Sequence, residues 1–402
     1  MLNALRRLFT NEGTDYAGKF GSVGGPDGGI TRHLDFAVIA AQGDVRVKVV
    51  GVGGAGGNAV ARMASTGLGG VEFLAVNTDV QALRRVKGVP TYAIGPIATG
   101  GMGSGGSPDR GRKAVRENLE HIGELLEGSD MVFVTAGMGG GTGTGAAPII
   151  AEIARRKGAL TVGVVTRPFS FEGQGRMAVA DKGLKQLGQK VDTLITVEND
   201  RLLTSLDGEM SLERGFRIAD EVLRQGVEGI SEIITVPGTI NVDFADVKSV
   251  MMNRGVSFMA LGEGKGRTAS TDAVKAALAN PLFTTPIEGA QGILFNVRGG
   301  RDLSIGQVQE IAGMIEGASK SQAQVVFGVV QDPRWNKRVR VTLVATGIPP
   351  REASVKGVAN GTVAELDGLR AENGTQEPFD TQPSYGANGH QTPAFPNMRK
   401  VA

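Results

Sequence analysis

Gly137 to Gly145 reads GMGGGTGTG and directly follows the apolar run MVFVTA. Glycine in a regular element costs roughly 0.5–1 kcal/mol of backbone entropy relative to alanine, so six glycines in nine residues need a reason. A tight strand-to-helix turn uses only about one or two. What the run provides is a series of backbone N–H groups that no Cβ screens, at the positive end of a helix dipole, which is an anion site. Thr142 and Thr144 add hydroxyl donors. The chemistry indicated is phosphate binding by the main chain.

A second glycine loop lies upstream. GVGGAGGN, Gly51 to Asn58, also follows a strand-like run and opens a helical pattern. Gly51, Gly53 and Gly56 match the G-x-G-x-x-G spacing of dinucleotide sites, a weak signal alone. A dinucleotide enzyme would want an acid at the end of the next strand to hold a ribose, and AVNTD brings Asp79 rather late. The lysine-bearing P-loop pattern is absent. Two glycine loops converging on one ligand indicate a nucleotide with several phosphates, cradled by backbone rather than by lysine. An NAD-dependent Rossmann enzyme using the first loop is the competing reading.

The elements that must position these loops alternate along the chain. VRVKVVGV, VEFLAVN, MVFVTA, LTVGVV and DTLITV read as strands buried on both faces. Helical patterns lie between them, one over Ser107 to Gly128 and another in AAPIIAEIARRKG. A long helical stretch, SLERGFRIADEVLRQGVEGISEIIT, stops at Pro237-Gly238. The expected fold is α/β: residues 45–236 form a Rossmann-like domain with a mostly parallel sheet and a long central helix. Residues 237–347 form a smaller α+β domain. Residues 1–44 are a flexible arm, and 348–402, rich in Pro, Gly, Asn and Thr, a disordered linker and terminal peptide.

Composition narrows the function. A net charge of +2 gives no global field toward nucleic acid. The absence of cysteine excludes disulfides and thiolate chemistry, and the three histidines are scattered, so no metal cluster is expected. With no membrane-length apolar run and no signal peptide, a soluble cytoplasmic protein is expected. MLNALRRLFT is distinctive. At 100° per residue Met1, Leu2, Ala4, Leu5, Leu8 and Phe9 segregate from Asn3, Arg6, Arg7 and Thr10. As a short basic amphipathic helix, residues 1–10 would suit an anionic membrane surface.

Taken together, GVGGAGGNAV, AVNTDVQAL, TAGMGGGTGTGAAP, RPFSFEG and NVDFADV resemble the FtsZ family of bacterial cell-division GTPases, homologues of tubulin. The likeness runs in order from about Val45 to Gly347. It implies a tubulin-like fold, GTP and GDP as ligands with Mg²⁺ on the phosphates, head-to-tail homopolymers, and a cytoplasmic place at the mid-cell division site. It implies that Gly54, Ala55, Gly56, Gly57 and Asn58 face the phosphates, with Gly139, Gly140, Gly141, Thr142, Gly143 and Thr144. Gly105 and Gly106, within GSGGS, resemble the loop that senses the terminal phosphate. Glu172 and Arg176 resemble the ribose contacts, Phe216 the residue packed on the base, and Asp220 the one that reads it. An ionised carboxylate can accept from both N1–H and the exocyclic amine of guanine. Glu221 departs from the family's usual Asn or Asp.

Nothing in the glycine loops can position water against a terminal phosphate. Asp243 and Asp246, three apart, would share a helix face, and acids at that place also cap a helix. The resemblance assigns Asn241, Asp243 and Asp246 to a loop inserted into the neighbouring subunit's nucleotide site. It also implies division adaptors bound by the C-terminal tail, where Pro396 departs from the pattern. A family paralogue that scaffolds something other than the division ring is a further reading.

Overall fold

The structure is a computed structural model that describes residues 45–204, 211–280, 287–320 and 323–348. The expected N-terminal arm with its amphipathic segment, and the terminal peptide, lie outside the described residues.

Apolar, β-branched runs set the sheet. β1 (Val47–Val52), β2 (Val71–Asn77), β3 (Thr91–Ala93), β4 (Met131–Gly137), β5 (Leu160–Arg167) and β6 (Thr193–Glu198) are joined by helices. These are α1 (Gly53–Ser65), α2 (Val80–Arg85), α3 (Pro96–Thr99), α4 (Pro108–Arg116), α5 (Leu119–Leu125), α6 (Thr142–Arg156) and α7 (Gln174–Gly188). After β6 come α8 (Asn199–Thr204), the long α9 (Leu212–Thr235) and α10 (Phe244–Met251). Then follow β7 (Gly255–Lys265), α11 (Ala269–Leu278), β8 (Gly292–Gly299), α12 (Ile305–Ser319), β9 (Gln324–Gln331) and β10 (Arg338–Thr346).

The ten strands of the described residues form one sheet in the order β3-β2-β1-β4-β5-β6-β7-β10-β8-β9. Pairing is parallel from β3 through β7 and between β8 and β9, while β10 runs antiparallel to both β7 and β8. The sheet therefore continues across the boundary expected near residue 237, through Thr193↔Gly255, Leu194↔Val256 and Ile195↔Ser257. Alternation along β1 separates two cores: Val47 and Val49 pack with Met63 of α1 and Leu223 and Val227 of α9, Val50 and Val52 with Ala147 and Ile150 of α6. A third core surrounds Phe295, Val341 and Leu343 beneath α11 and α12.

One expected helix is two. The pattern over Ser107–Gly128 breaks between α4 and α5, because Glu117 and Asn118 turn their side chains away. The Glu117 carboxylate accepts from the N–H groups of Ile97 (2.9 Å) and Ala98 (2.7 Å), and Asn118 Oδ1 accepts from Gly95 N–H (2.9 Å). They satisfy the start of α3 instead of continuing a helix of their own.

Candidate nucleotide site

The strand order explains why two distant glycine loops meet. From β1 the chain steps outward to β2 and β3, then returns to β4 on the other side of β1. β1 and β4 are in parallel register through Val52↔Ala136, and the crevice beyond their carboxyl ends is the switch point where open α/β sheets bind ligands. α1 begins at Gly53, whose φ of +76° favours glycine and whose Cβ would stand 2.9 Å from Gly143 N of the other loop. The loops touch. Neither α1 nor α6 has a side-chain acceptor at its N-cap or an acid in its first turn. By contrast α2, α4, α9 and α12 are capped by Asp79, Ser107, Ser211 and Ser304. Two positive helix ends are thus left open toward one crevice, which suits an anion.

The crevice is a cavity of about 570 Å³. Gly54, Ala55, Gly105, Gly106, Gly140, Gly141, Thr142 and Gly143 line its glycine-loop end, and Glu172, Arg176, Phe216 and Asp220 its far end. Buried Thr142 ties its loop to the end of β2 and to the GSGGS loop, its hydroxyl bonded to those of Thr78 (2.6 Å) and Ser104 (3.0 Å). The remaining expected contacts are not on the wall. Thr144 is buried, and its Oγ1 accepts from Gly139 N–H at 2.9 Å, bracing the loop from behind. Gly56 is a packing residue, since a Cβ there would lie 2.4 Å from Thr135 O of β4. Gly57 is buried beside Val86, and Asn58 is exposed away from the cavity.

At the far end Phe216 meets Phe169 edge to face, with centroids 5.3 Å apart, and stays 40% exposed. Glu172 Oε1 accepts from Phe169 N–H (2.9 Å), and its other oxygen pairs with Arg176. Asp220 is largely buried; desolvation pushes its pKa up to about 6, and Arg62, 3.1 Å away, works against that rise. Asn199, at the carboxyl end of β6, lines the cavity without having been expected from sequence. Its Oδ1 is buried without a hydrogen-bond partner, which suits a ligand that brings a donor. A lone Asn carries no motif; only its place just after a parallel strand marks it.

Asn241, Asp243 and Asp246 lie elsewhere. Asp243 is the N-cap of α10, its Oδ1 accepting from Ala245 N–H (3.1 Å), so it stands just outside the helical turn that carries Asp246. Asn241 Oδ1 accepts from Gly238 N–H (2.6 Å), and Asp246 is exposed in the first turn. None lines the cavity. They follow the carboxyl end of α9, whereas Phe216 and Asp220 lie near its start. The helical path from Asp220 to Thr235 spans about 22 Å. Among the described residues no group of three or more His, Cys, Asp or Glu could hold a metal.

Residues 46–207 match the Tubulin/FtsZ family GTPase domain, and residues 255–349 the FtsZ family C-terminal domain. An empty FtsZ dimer from M. jannaschii is 42% identical, covers 79% of this chain and 92% of its own, and superposes with a TM-score of 0.74. A tryptophan-to-tyrosine mutant of FtsZ from M. jannaschii is likewise 42% identical, over 78% of this chain and 94% of its own, also at 0.74. CetZ1 from Haloferax volcanii, a GDP-bound monomer, shares the fold at 22% identity, over 76% of this chain and 95% of its own, with a TM-score of 0.67. With both parts of the sheet matched in order, the chain belongs to the FtsZ family of tubulin-like GTPases.

Proposed function

We propose that this chain binds GTP in the cleft between β1 and β4, assembles head to tail, and hydrolyses GTP where a second copy presents Asp243 and Asp246. One observation carries the reading: the cleft has what binding needs and lacks what hydrolysis needs. Its phosphate end offers glycine backbone and two uncapped helix ends. Among the described residues the one acid there, Asp79, has its Oδ1 committed to capping α2 through Ala82 N–H (2.9 Å). Exposed acids stand at the other end of α9. Placing a water in line with the terminal phosphate and neutralising its charge is the task left over. Mg²⁺, where bound on the phosphates, would supply part of that neutralisation. The M. jannaschii FtsZ dimer supports self-association.

In this reading the filament is the cytokinetic scaffold at mid-cell, reached by adaptors through the terminal peptide. The experiment is Asp246→Ala. The variant is expected to bind GTP as the parent does, to lose turnover by on the order of 10²-fold or more, and to form longer-lived filaments. Loss of GTP binding by the isolated variant would place Asp246 in its own subunit's pocket and overturn the shared site.

A further inference from the structure

Asp220 is a carboxylate sunk into the far end of the cleft, and burial alone favours its protonated form. A protonated carboxyl cannot accept from two donors on one edge of a base. The surroundings determine what opposes protonation. The neighbouring arginines of α9 are occupied, Arg217 with Glu213, and Arg224 with Glu221 and Glu228. Across the cleft Arg176 pairs with Glu172, Arg167 with Asp181 and Glu198, and Arg201 with Glu198, while Asp200 accepts from Ser170 N–H. From α1, which packs on α9, comes its one charged residue, Arg62, with Nε 3.1 Å from Asp220 Oδ2.

We propose that Arg62 is a positioning residue for base recognition: its guanidinium holds the Asp220 carboxylate charged and facing the N1–H and exocyclic amine of a guanine. The inference rests on the guanine-nucleotide reading of the cleft. It makes α1 serve both ends of the ligand. The amino end of α1 opens on the phosphates, and Arg62, nine residues on and about 13 Å along the axis, sets the charge of the base reader. Arg62 is 43% exposed at its side chain, so it can supply charge without being consumed by the core.

The experiment is the pH profile of GDP affinity, from pH 5 to 8.5, for the parent, Arg62→Met and Arg62→Lys. The diphosphate's own titration is common to all three and cancels in the ratios. Parent affinity is expected to fall as pH drops through about 6. In Arg62→Met that limb moves upward, costing several-fold in affinity at pH 6.5–7 but less than about twofold at pH 8.5, where Asp220 is ionised in either protein. Arg62→Lys restores the parent limb in part. In an Asp220→Asn background Arg62→Met has no further effect. An equal loss at every pH would make Arg62 a packing residue, and an unmoved limb would remove it from base recognition; either result overturns the proposal. Failure of the parent to bind GDP at any pH would instead overturn the guanine-nucleotide reading itself.

Discussion

Gly54 and Gly56 stand two residues apart in one glycine loop, and the structure gives them opposite jobs. Gly54 is exposed on the cleft wall, and a Cβ there meets nothing within 4 Å. A Cβ on Gly56 would lie 2.4 Å from Thr135 O and 2.9 Å from Gly51 C, both main-chain atoms. To reach an ordinary contact of 3.4 Å, α1 must lift about 1 Å off the sheet, loosening the fully buried Ala59, Val60 and Met63. Such overpacking costs about 1–3 kcal/mol, against which alanine in a helix returns up to about 1 kcal/mol. The net loss for Gly56→Ala is then up to about 2 kcal/mol, or a Tm lower by up to about 3 °C for a chain of this size. Gly54→Ala gains helix propensity and meets no clash, so its Tm should equal or slightly exceed the parent's. Its new methyl group intrudes where phosphate would approach the backbone, and GDP affinity should fall about tenfold, near 1.4 kcal/mol. Thermal unfolding without nucleotide and an equilibrium GDP titration separate the two effects. If Gly54→Ala melts as early as Gly56→Ala, or binds GDP as tightly as the parent, the division of labour is wrong.

Two further outcomes follow from buried carboxylates. Asp220→Asn presents an N–H toward guanine N1–H and should weaken GTP while improving XTP relative to it. Mispaired buried polar groups cost on the order of 1–3 kcal/mol, and an unchanged GTP/XTP preference in binding would remove Asp220 from the base pocket. Glu232 of α9 is pushed up to about 7, first by burial and also by Glu228, with Arg298 and Arg340 opposing. Its folded pKa lies above the unfolded value, so the fold favours the protonated acid, and stability is lost as pH rises from about 4.5 through 7. Glu232→Gln should therefore gain on the parent between pH 5 and pH 8, by up to about 3 kcal/mol. Urea unfolding at both values checks this, and parallel losses in the two proteins would refute it.

The sequence made the loops visible because glycine is costly and its concentration therefore informative. It did not show which loop residues face the ligand, because both glycine runs continue into helices. Thr142 and Thr144 look equivalent in GTGTG, yet two residues on a helix are rotated by about 200°. One hydroxyl reaches Thr78 and Ser104 at the cleft, and the other braces Gly139 from within. The same rotation carries Gly56 onto the sheet while Gly54 stays on the wall. The split between α4 and α5 was hidden for another reason. Glu117 and Asn118 are ordinary helix residues by local pattern, and their partners lie some twenty positions upstream. Asn199 was missed because one buried, unpartnered amide leaves no trace in spacing.

The separation of Asp246 from the cleft bears on assembly itself. In the proposed assembly the patch meets the opposite end of an identical molecule, so it cannot pair with itself across a twofold axis and the contact would be heterologous. Heterologous contacts propagate, into a ring where the rotation closes and into a filament where it does not. If the neighbour's acids complete the site, hydrolysis becomes a property of the contact rather than of the subunit. Turnover per subunit would then vanish at dilution and rise with concentration, while nucleotide binding would not change. The first subunit in a filament would hold its nucleotide intact, because no neighbour reaches its cleft. The capping bond of Asp243 fits this arrangement. With Oδ1 fixing the start of α10 through Ala245 N–H, Asp246 is carried on a held first turn rather than a loose loop. A carboxylate delivered by another molecule must arrive already oriented, since the contact has no further element of its own chain with which to aim it.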